Sequence, residues 1–270
     1  MKVSLLISTY NWKEALKLSL LSLFEQTVLP KEILIADDGS KEDTRQMIDK
    51  LRKVSPVPIL HFWHEDKGFR VGTIRNIALA NATGNYIVQI DGDIFLNKFF
   101  IEDHIQLAQK GYLVCGSRVS LSAKETEDLL NGKIDRASLT SKMAFNNMRS
   151  KLLRQFLAER YAMNSYKNIR GSNIAFWLTD LIAVNGYDES FNSWGPEDRE
   201  LVSRMFNLGI KKKTLKMGGV CYHLHHDKLS RSELKRLTKL FEHSINNEVI
   251  WADNGMDKHI KSEQSTFINS

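Results

Sequence analysis

The 270 residues and 31.0 kDa give room for one large α/β domain with its own core, and 42% hydrophobic with 26% charged residues excludes a disordered or fibrous chain. A net charge of +6 and a pI near 9.1 suit an anionic partner, but no nucleic-acid motif and no regular basic face interleaved with aromatics accompanies them, so nucleic acid is set aside. Cys115 and Cys221, in separate apolar stretches, read as buried free thiols rather than a disulfide framework; with no signal-peptide pattern after Met1 and no apolar run of about 20 residues, a cytoplasmic location is expected.

Along the chain, residues 2–8 read as a buried strand. Asn11 with Glu14 three residues on predicts a capped helix whose apolar face is Ala15, Leu16, Leu20, Leu23 and Phe24. Pro30 closes that unit, 32–36 is a second strand, and Ser40 followed by Asp43 repeats the capping pattern before a helix to about residue 54. Strand, helix and strand follow at 58–63, 71–81 and 85–90, then a helix at 99–110 and a strand at 112–116. This alternation predicts a parallel sheet with crossover helices. Residues 118–168 are polar, with weak helical periodicity near 151–161, and read as a surface insertion rather than a separate domain. Regular signals resume at 171–177, pass through a helix at 196–208 and end in a strand near 219–223. Over 228–245, Leu234, Leu237, Leu240 and Phe241 stand at helical spacing among Arg231, Lys235, Arg236 and Lys239. Such a basic amphipathic helix suits an anionic membrane surface or a solvated face of a terminal helix.

Chemistry-bearing residues gather where strands end. Asp91-Gly92-Asp93 closes the apolar run 86–90, presenting two carboxylates that can share a hard divalent cation with phosphate oxygens. Ser8-Thr9-Tyr10-Asn11 and Asp37-Asp38-Gly39-Ser40 follow the first two strands, where short polar side chains and helix N-terminal amides can grip a base and ribose, or serve simply as capping and turn residues. Arg75-Asn76 lies on a helix after the flexible Lys67–Arg70 loop. Downstream, Trp194-Gly195-Pro196-Glu197-Asp198 combines an apolar platform of the kind sugars stack on with carboxylates able to take a proton from a hydroxyl, though acids also suit a helix start. His223, His225 and His226 with the Asp pair form a mixed N/O set of the kind Mn²⁺ accepts. Arg170-Gly171-Ser172-Asn173 is a small-residue stretch able to line a pocket or simply begin a strand.

Thr9-Tyr10-Asn11, Gln26-Thr27, Pro30, the run 32–40 ending Asp37-Asp38-Gly39-Ser40, Ile74-Arg75-Asn76 and Asp91-Gly92-Asp93, in this order, resemble family 2 glycosyltransferases of the GT-A fold over roughly the first 115 residues. Trp194-Gly195-Pro196-Glu197-Asp198 with His223 and His226 is similar to bacterial chondroitin polymerase modules, animal β-1,4-galactosyltransferases and polypeptide N-acetylgalactosaminyltransferases, extending the likeness to about residue 228. Pro196 departs from the Gly of the animal motif. The resemblance implies a GT-A fold, a Rossmann-like mixed, mostly parallel sheet flanked by helices in a single α/β domain, to which the residue patterns add a helical insertion and a C-terminal helix. It implies a donor-binding half over 1–115 and an acceptor-binding and catalytic half over 169–228; the insertion over 116–168 and the basic amphipathic helix and tail over 229–270 are read from composition and periodicity alone.

By the same resemblance Thr9, Tyr10, Asp37 and Asp38 contact the uracil and ribose of a UDP-sugar, Arg75 faces the donor, and Asp91 with Gly92 lies near the ribose or donor sugar. Asp93 binds Mn²⁺ or Mg²⁺. The H-L-x-H spacing favours His226 as a further metal ligand over His223, which matches the Tyr-His of the polymerase motif. Trp194 and Glu197 hold the acceptor, and Asp198 is the general base. The implied reaction is an inverting, metal-dependent transfer of a hexose or N-acetylhexosamine to a glycan hydroxyl, in cell-surface polysaccharide or lipopolysaccharide synthesis. Partners are then a UDP-sugar and a glycan or lipid-linked glycan; peripheral membrane contact through the C-terminal helix is an expectation from its basic amphipathic pattern, not from the resemblance. The alternative is a sugar-nucleotide or glycan binding module that has lost catalysis.

Overall fold

The structure, a computed structural model, describes residues 1–160, 164–166, 169–227 and 232–260. The apolar runs of the first half become strands covered on both faces, which is why β1 (Val3–Thr9) and β2 (Glu32–Asp37) are buried at every position. β1 pairs in parallel with β2 and with β4 (Tyr86–Asp91), and β2 with β3 (Ile59–Trp63). The crossovers are α1 (Lys13–Phe24), α2 (Glu42–Arg52) and α3 (Val71–Ala80). After β4 come β5 (Ile94–Leu96), α4 (Phe100–Leu107), β6 (Tyr112–Cys115) and β7 (Val119–Ser120). The segment that follows contains α5 (Ala123–Leu130), α6 (Ala144–Asn147) and α7 (Lys151–Arg160). β8 (Ile174–Trp177), α8 (Leu178–Ala183), α9 (Glu197–Asn207), β9 (Lys211–Thr214), β10 (Cys221–His223) and α10 (Leu234–Asn246) complete the fold.

The main sheet has the order β3-β2-β1-β4-β8-β6-β9, with β8 antiparallel to both neighbours; a small second sheet has the order β5-β10-β7. Strand order reverses at β1 and β4, so a crevice opens beyond their carboxyl ends, where α/β sheets bind ligands. Ser8 is the register partner of Asp91, and Thr9 of Asp37, so the clusters predicted at the strand ends share one edge of the sheet. Alternate residues of β1 feed two cores. Leu5 and Ile7 pack with Leu16, Leu20 and Phe100, whereas Leu6 packs with Ile74, Phe176 and Leu201. Each such buried side chain contributes about 1.5–3 kcal/mol. Cys115 and Cys221 are buried free thiols, both pushed up to about 12 by burial.

Several local expectations are corrected. Asn11 does not cap α1, whose N-cap is Trp12. It takes a left-handed conformation, φ 45°, and ties two loops together: its amide donates to Ser40 Oγ at 2.8 Å and its Oδ1 accepts from Lys41 N at 3.0 Å. Ser40 is thereby spent, and Lys41 is the N-cap of α2. β9, reading Lys-Lys-Lys-Thr, has no strand signal and exists because β6 supplies its partner in parallel. The basic C-terminal helix turns Leu237 and Phe241 inward against Phe191, with Tyr166 beside them. Its apolar face is therefore covered by protein, which corrects the expectation of membrane contact through that face; residues 228–231 of the predicted helix lie outside the described residues. Among the described residues no helix is long and apolar enough to cross a membrane.

α9, which carries Glu197 and Asp198 in its first turn, is anchored by a buried ion pair. Arg204 donates to Glu200 at 2.7 and 2.9 Å and to the carbonyls of Val184 and Gly186, while Ser244 of α10 donates to Glu200 Oε1 at 2.9 Å. Removing one member leaves the other charged and dry. Arg204→Ala is therefore expected to cost about 3–5 kcal/mol in urea unfolding, whereas the paired change Arg204→Met with Glu200→Gln recovers most of that loss.

Candidate active site

At the end of β4 the chain must turn against β1. Gly92 N donates to Ser8 O at 2.7 Å, and a Cβ at Gly92 would lie 3.0 Å from both that oxygen and Thr9 Oγ1, so only glycine closes this corner without displacement. β5 then leaves antiparallel to β10, pairing His223 with Ile94, and Leu224 N donates to Asp93 O at 3.0 Å. Backbone pairing thus delivers the histidines to Asp93 from far along the chain.

His223 Nε2 and His226 Nε2 each lie 3.3 Å from Asp93 Oδ2, and the three ligand atoms are within 4.8 Å of one another. His226 Nδ1 faces Asp227 O at 2.7 Å. A carbonyl only accepts, so Nδ1 donates there, and Nε2 is the nitrogen turned toward Asp93, the orientation of a metal-binding imidazole. Burial lowers His223 to about 3, keeping it neutral, and burial followed by Asp91 raises Asp93 to about 7. Asp93 Oδ1 is buried without a hydrogen-bond partner among the described residues. Lone pairs converging on a carboxylate with an orphaned oxygen fit a divalent cation, and the N/O donor set fits Mn²⁺. Both predicted histidines, rather than one, stand beside Asp93. Because a proton on Asp93 competes with the ion, Mn²⁺ affinity is expected to rise between pH 6 and pH 8, by up to about tenfold per unit below pH 7. Calorimetric titration checks this, and Asp93→Asn should abolish the trend together with most of the binding.

Beside this corner Arg75, 3% exposed, binds three ways. Its Nε donates to Ser8 Oγ at 2.7 Å, Nη1 to Asp198 Oδ1 at 3.1 Å and Nη2 to Asp91 Oδ1 at 3.3 Å, with the guanidinium 5.0 Å from the Tyr187 ring centre. Arg118 lies 3.7 Å from Asp91 Oδ2 and donates to Ser172 Oγ at 2.7 Å. Burial pushes Asp91 up against the pull of Arg75, and Asp198 adds to the push.

Asp198 is held from other sides as well. Gly171 N donates to its Oδ2 at 2.7 Å, and Tyr187 OH lies 3.1 Å from Oδ1 and 2.9 Å from Gln89 Oε1. Gln89 Nε2 donates in turn to Gly171 O at 3.2 Å. A Cβ at Gly171 would come within 2.6 Å of Asp198 Oδ1, so the glycine makes room for the carboxylate. Glu197, buried next to it, accepts from Gly195 N at 3.2 Å and is raised to about 8 by burial and then by Asp198. Trp194 is half-buried in the loop leading to this turn.

The predicted nucleotide corner adjoins Ser8. Thr9 is buried at the end of β1, and the exposed Tyr10 donates to Asp66 at 2.9 Å. Asp37, 1% exposed, already accepts from Ser40 N at 2.8 Å and meets His61 Nε2 at 2.9 Å. Asp38 accepts from Arg70 N at 3.0 Å and meets His64 at 2.7 Å; its burial pushes it up. Both therefore shape the loop as they stand. Gln89, Arg118 and Tyr187 were not foreseen. Gln89, the one amide in an apolar strand, was a readable signal; Arg118 and Tyr187 lie in stretches without a motif.

The glycosyl transferase family 2 profile matches residues 4–169, more than half of the chain. The chain belongs to glycosyl transferase family 2. A second profile, described as the N-terminal domain of galactosyltransferase, matches residues 153–227. Among curated relatives, the glycosyltransferase is 25% identical to chondroitin synthase of Escherichia coli over 239 residues, covering 82% of this chain and 34% of that protein. It is 27% identical to hyaluronan synthase of Pasteurella multocida over 238 residues, covering 82% of this chain and 24% of the relative. The chain thus spans a third or less of these polysaccharide synthases. Among solved structures it is similar to S. aureus TarS, with TM-score 0.62 and 19% identity over 96% of this chain and 41% of that one. It is also similar to the mannosyltransferase PcManGT of Pyrobaculum calidifontis, with TM-score 0.59 and 18% identity over 82% of this chain and 56% of that one. The family 2 enzyme has the GT-A fold expected from its sequence.

Proposed function

We propose that this glycosyltransferase moves a hexose or N-acetylhexosamine from a UDP-sugar to a hydroxyl of a glycan acceptor with inversion, using Mn²⁺ or Mg²⁺ held by Asp93, His226 and His223. The observation that carries the reading is that Asp198 and Asp91 flank one buried guanidinium, Arg75, at 3.1 and 3.3 Å. An acceptor-side carboxylate and a donor-side carboxylate are then one side chain apart, as a single displacement across a sugar ring requires. Asp198 takes the proton of the acceptor hydroxyl, whose oxygen bonds to the anomeric carbon as the bond to the diphosphate breaks and UDP leaves. When bound, the divalent ion offsets the charge gathering on the leaving diphosphate.

The remaining residues bind and orient. Arg75 and Arg118 fix Asp91 near the ribose or donor sugar, and Gly92 lets β4 close on β1 beside Thr9. Thr9, Tyr10, Asp37 and Asp38 form the uracil and ribose corner, with Tyr10 the accessible member. Trp194 offers the acceptor an apolar platform. Glu197 is protonated at neutral pH and can donate to the acceptor hydroxyl's neighbour while Asp198 accepts. This assigns donor binding to 1–115 and acceptor binding with catalysis to 169–228. Support for the donor class comes from TarS, solved with UDP and with UDP-GlcNAc, and from PcManGT, solved with GDP-Man and Mn²⁺. Chondroitin and hyaluronan synthases among the relatives favour a surface polysaccharide as product.

A screen of UDP-sugars for UDP release, with Mn²⁺ present or chelated, tests the assignment: one donor should turn over only with metal, and silence from every UDP-sugar would remove the donor class. Asp198→Asn should cut turnover by about 10²- to 10⁴-fold while leaving UDP affinity within a few-fold. Glu197 supplies a separate signature. Its carboxyl is raised, so it is protonated below pH 8 and loses its proton above; kcat/KM should fall through an apparent pKa near 8. Glu197→Gln should flatten that alkaline limb, and an unchanged limb would assign it to another group.

A further inference from the structure

α7 is turned inside out. Its inward face carries Arg154, 1% exposed, and Ala158 one turn on, while its outward face presents Leu152, 87% exposed, with Leu153 and Phe156. Phe145 and Met148, just ahead, are exposed too. The cause is the guanidinium: Arg154 pairs with Asp103 at 2.8 Å and donates to Met217 O at 2.6 and 3.0 Å, which fixes the helix's rotation and forces the leucines out. Large apolar side chains exposed this densely, from Phe145 to Phe156, mark an interaction site rather than scattered exposure.

Charge identifies the partner. Over residues 141–170 the cations are Lys142, Arg149, Lys151, Arg154, Arg160, Lys167 and Arg170 against Glu159 alone, an excess equal to the +6 of the whole chain. Lys142 is paired with Glu125, Arg149 with Glu102 and Asp103, and Arg154 with Asp103. Lys151, Arg160 and Arg170 are exposed and form no ion pair among the described residues. Apolar side chains flanked by unpaired cations match an interface with apolar depth and anionic headgroups. We propose that the α6–α7 face docks on an anionic phospholipid bilayer. Phe145, Met148, Leu152 and Phe156 enter the headgroup boundary, while Lys151 and Arg160 meet phosphates. This places the membrane contact on the insertion instead of on α10, whose apolar face is buried.

Flotation of the full chain with vesicles tests the proposal, using phosphatidylcholine alone or two parts phosphatidylcholine to one part phosphatidylglycerol. Binding is expected to the mixed vesicles only and to weaken with salt. Leu152→Ser with Phe156→Ser should weaken partition by about tenfold or more, and Lys151→Glu with Arg160→Glu should reduce it and its salt dependence. Lys235→Glu with Arg236→Glu should leave it unchanged. The substituted side chains are exposed, so circular dichroism and melting should match the parent, and the readout is independent of donor chemistry. No flotation with mixed vesicles would overturn the proposal, as would flotation that survives the Leu152 and Phe156 changes. A dimer that the same changes dissociate without vesicles would assign the face to a second copy of the chain instead.

Discussion

The site depends on one buried cation. Arg75 sits below Ser8, Asp91 and Asp198, residues of β1, β4 and α9, and without it two carboxylates would face each other in a desolvated corner. Burial disfavours the charged guanidinium, yet the acidic groups around it more than compensate and hold it firmly protonated. The arrangement joins the two halves of the chain electrostatically: β1 and β4 cannot shift without changing the position of Asp198. Gln89, Tyr187 and Gly171 complete the enclosure through neutral hydrogen bonds, so Asp198 is oriented by a lattice rather than a single partner.

The corner at Asp93 is built on a different principle. There the protein gathers ligand atoms rather than balancing charges, leaving a carboxylate oxygen without a donor among the described residues and two imidazole nitrogens pointed at the same carboxylate. Burial penalises the charged form of each group there, which raises Asp93 and lowers His223. The two corners share Asp91, so charge at Asp93 and charge at Asp198 are coupled through one side chain.

The two amphipathic helices show how position overrides pattern. α10 has apolar residues at helical spacing and buries them; α7 has them too and exposes them, because Arg154 claims the interior. Periodicity reports which residues share a face, but the direction that face takes is set by what the rest of the molecule offers it. A buried arginine with an aspartate and a carbonyl waiting for it outweighs two leucines.

Strands 1 to 4, their crossover helices and the strand-end clusters were legible in the sequence, because buried parallel strands are written as short apolar runs and turns as Gly, Asp, Ser and Asn. Thr9, Asp91, Asp93, Glu197 and Asp198 were named there as a joint pattern, with the fold and the family. The sequence was silent on β5, β7, α8 and β9, whose existence rests on partners far along the chain: three lysines form a strand only beside β6. It also misassigned Asn11 and Ser40, whose capping chemistry is identical to the chemistry by which they bind each other's loops. By itself, then, the sequence determined the residue types, their order and the local periods. Only the tertiary structure decided that antiparallel β5–β10 pairing carries both histidines to Asp93, that Arg75 lies between Asp91 and Asp198, and that Arg154 turns α7 outward. Those are long-range contacts, and no short-range pattern of hydrophobicity or capping encodes them.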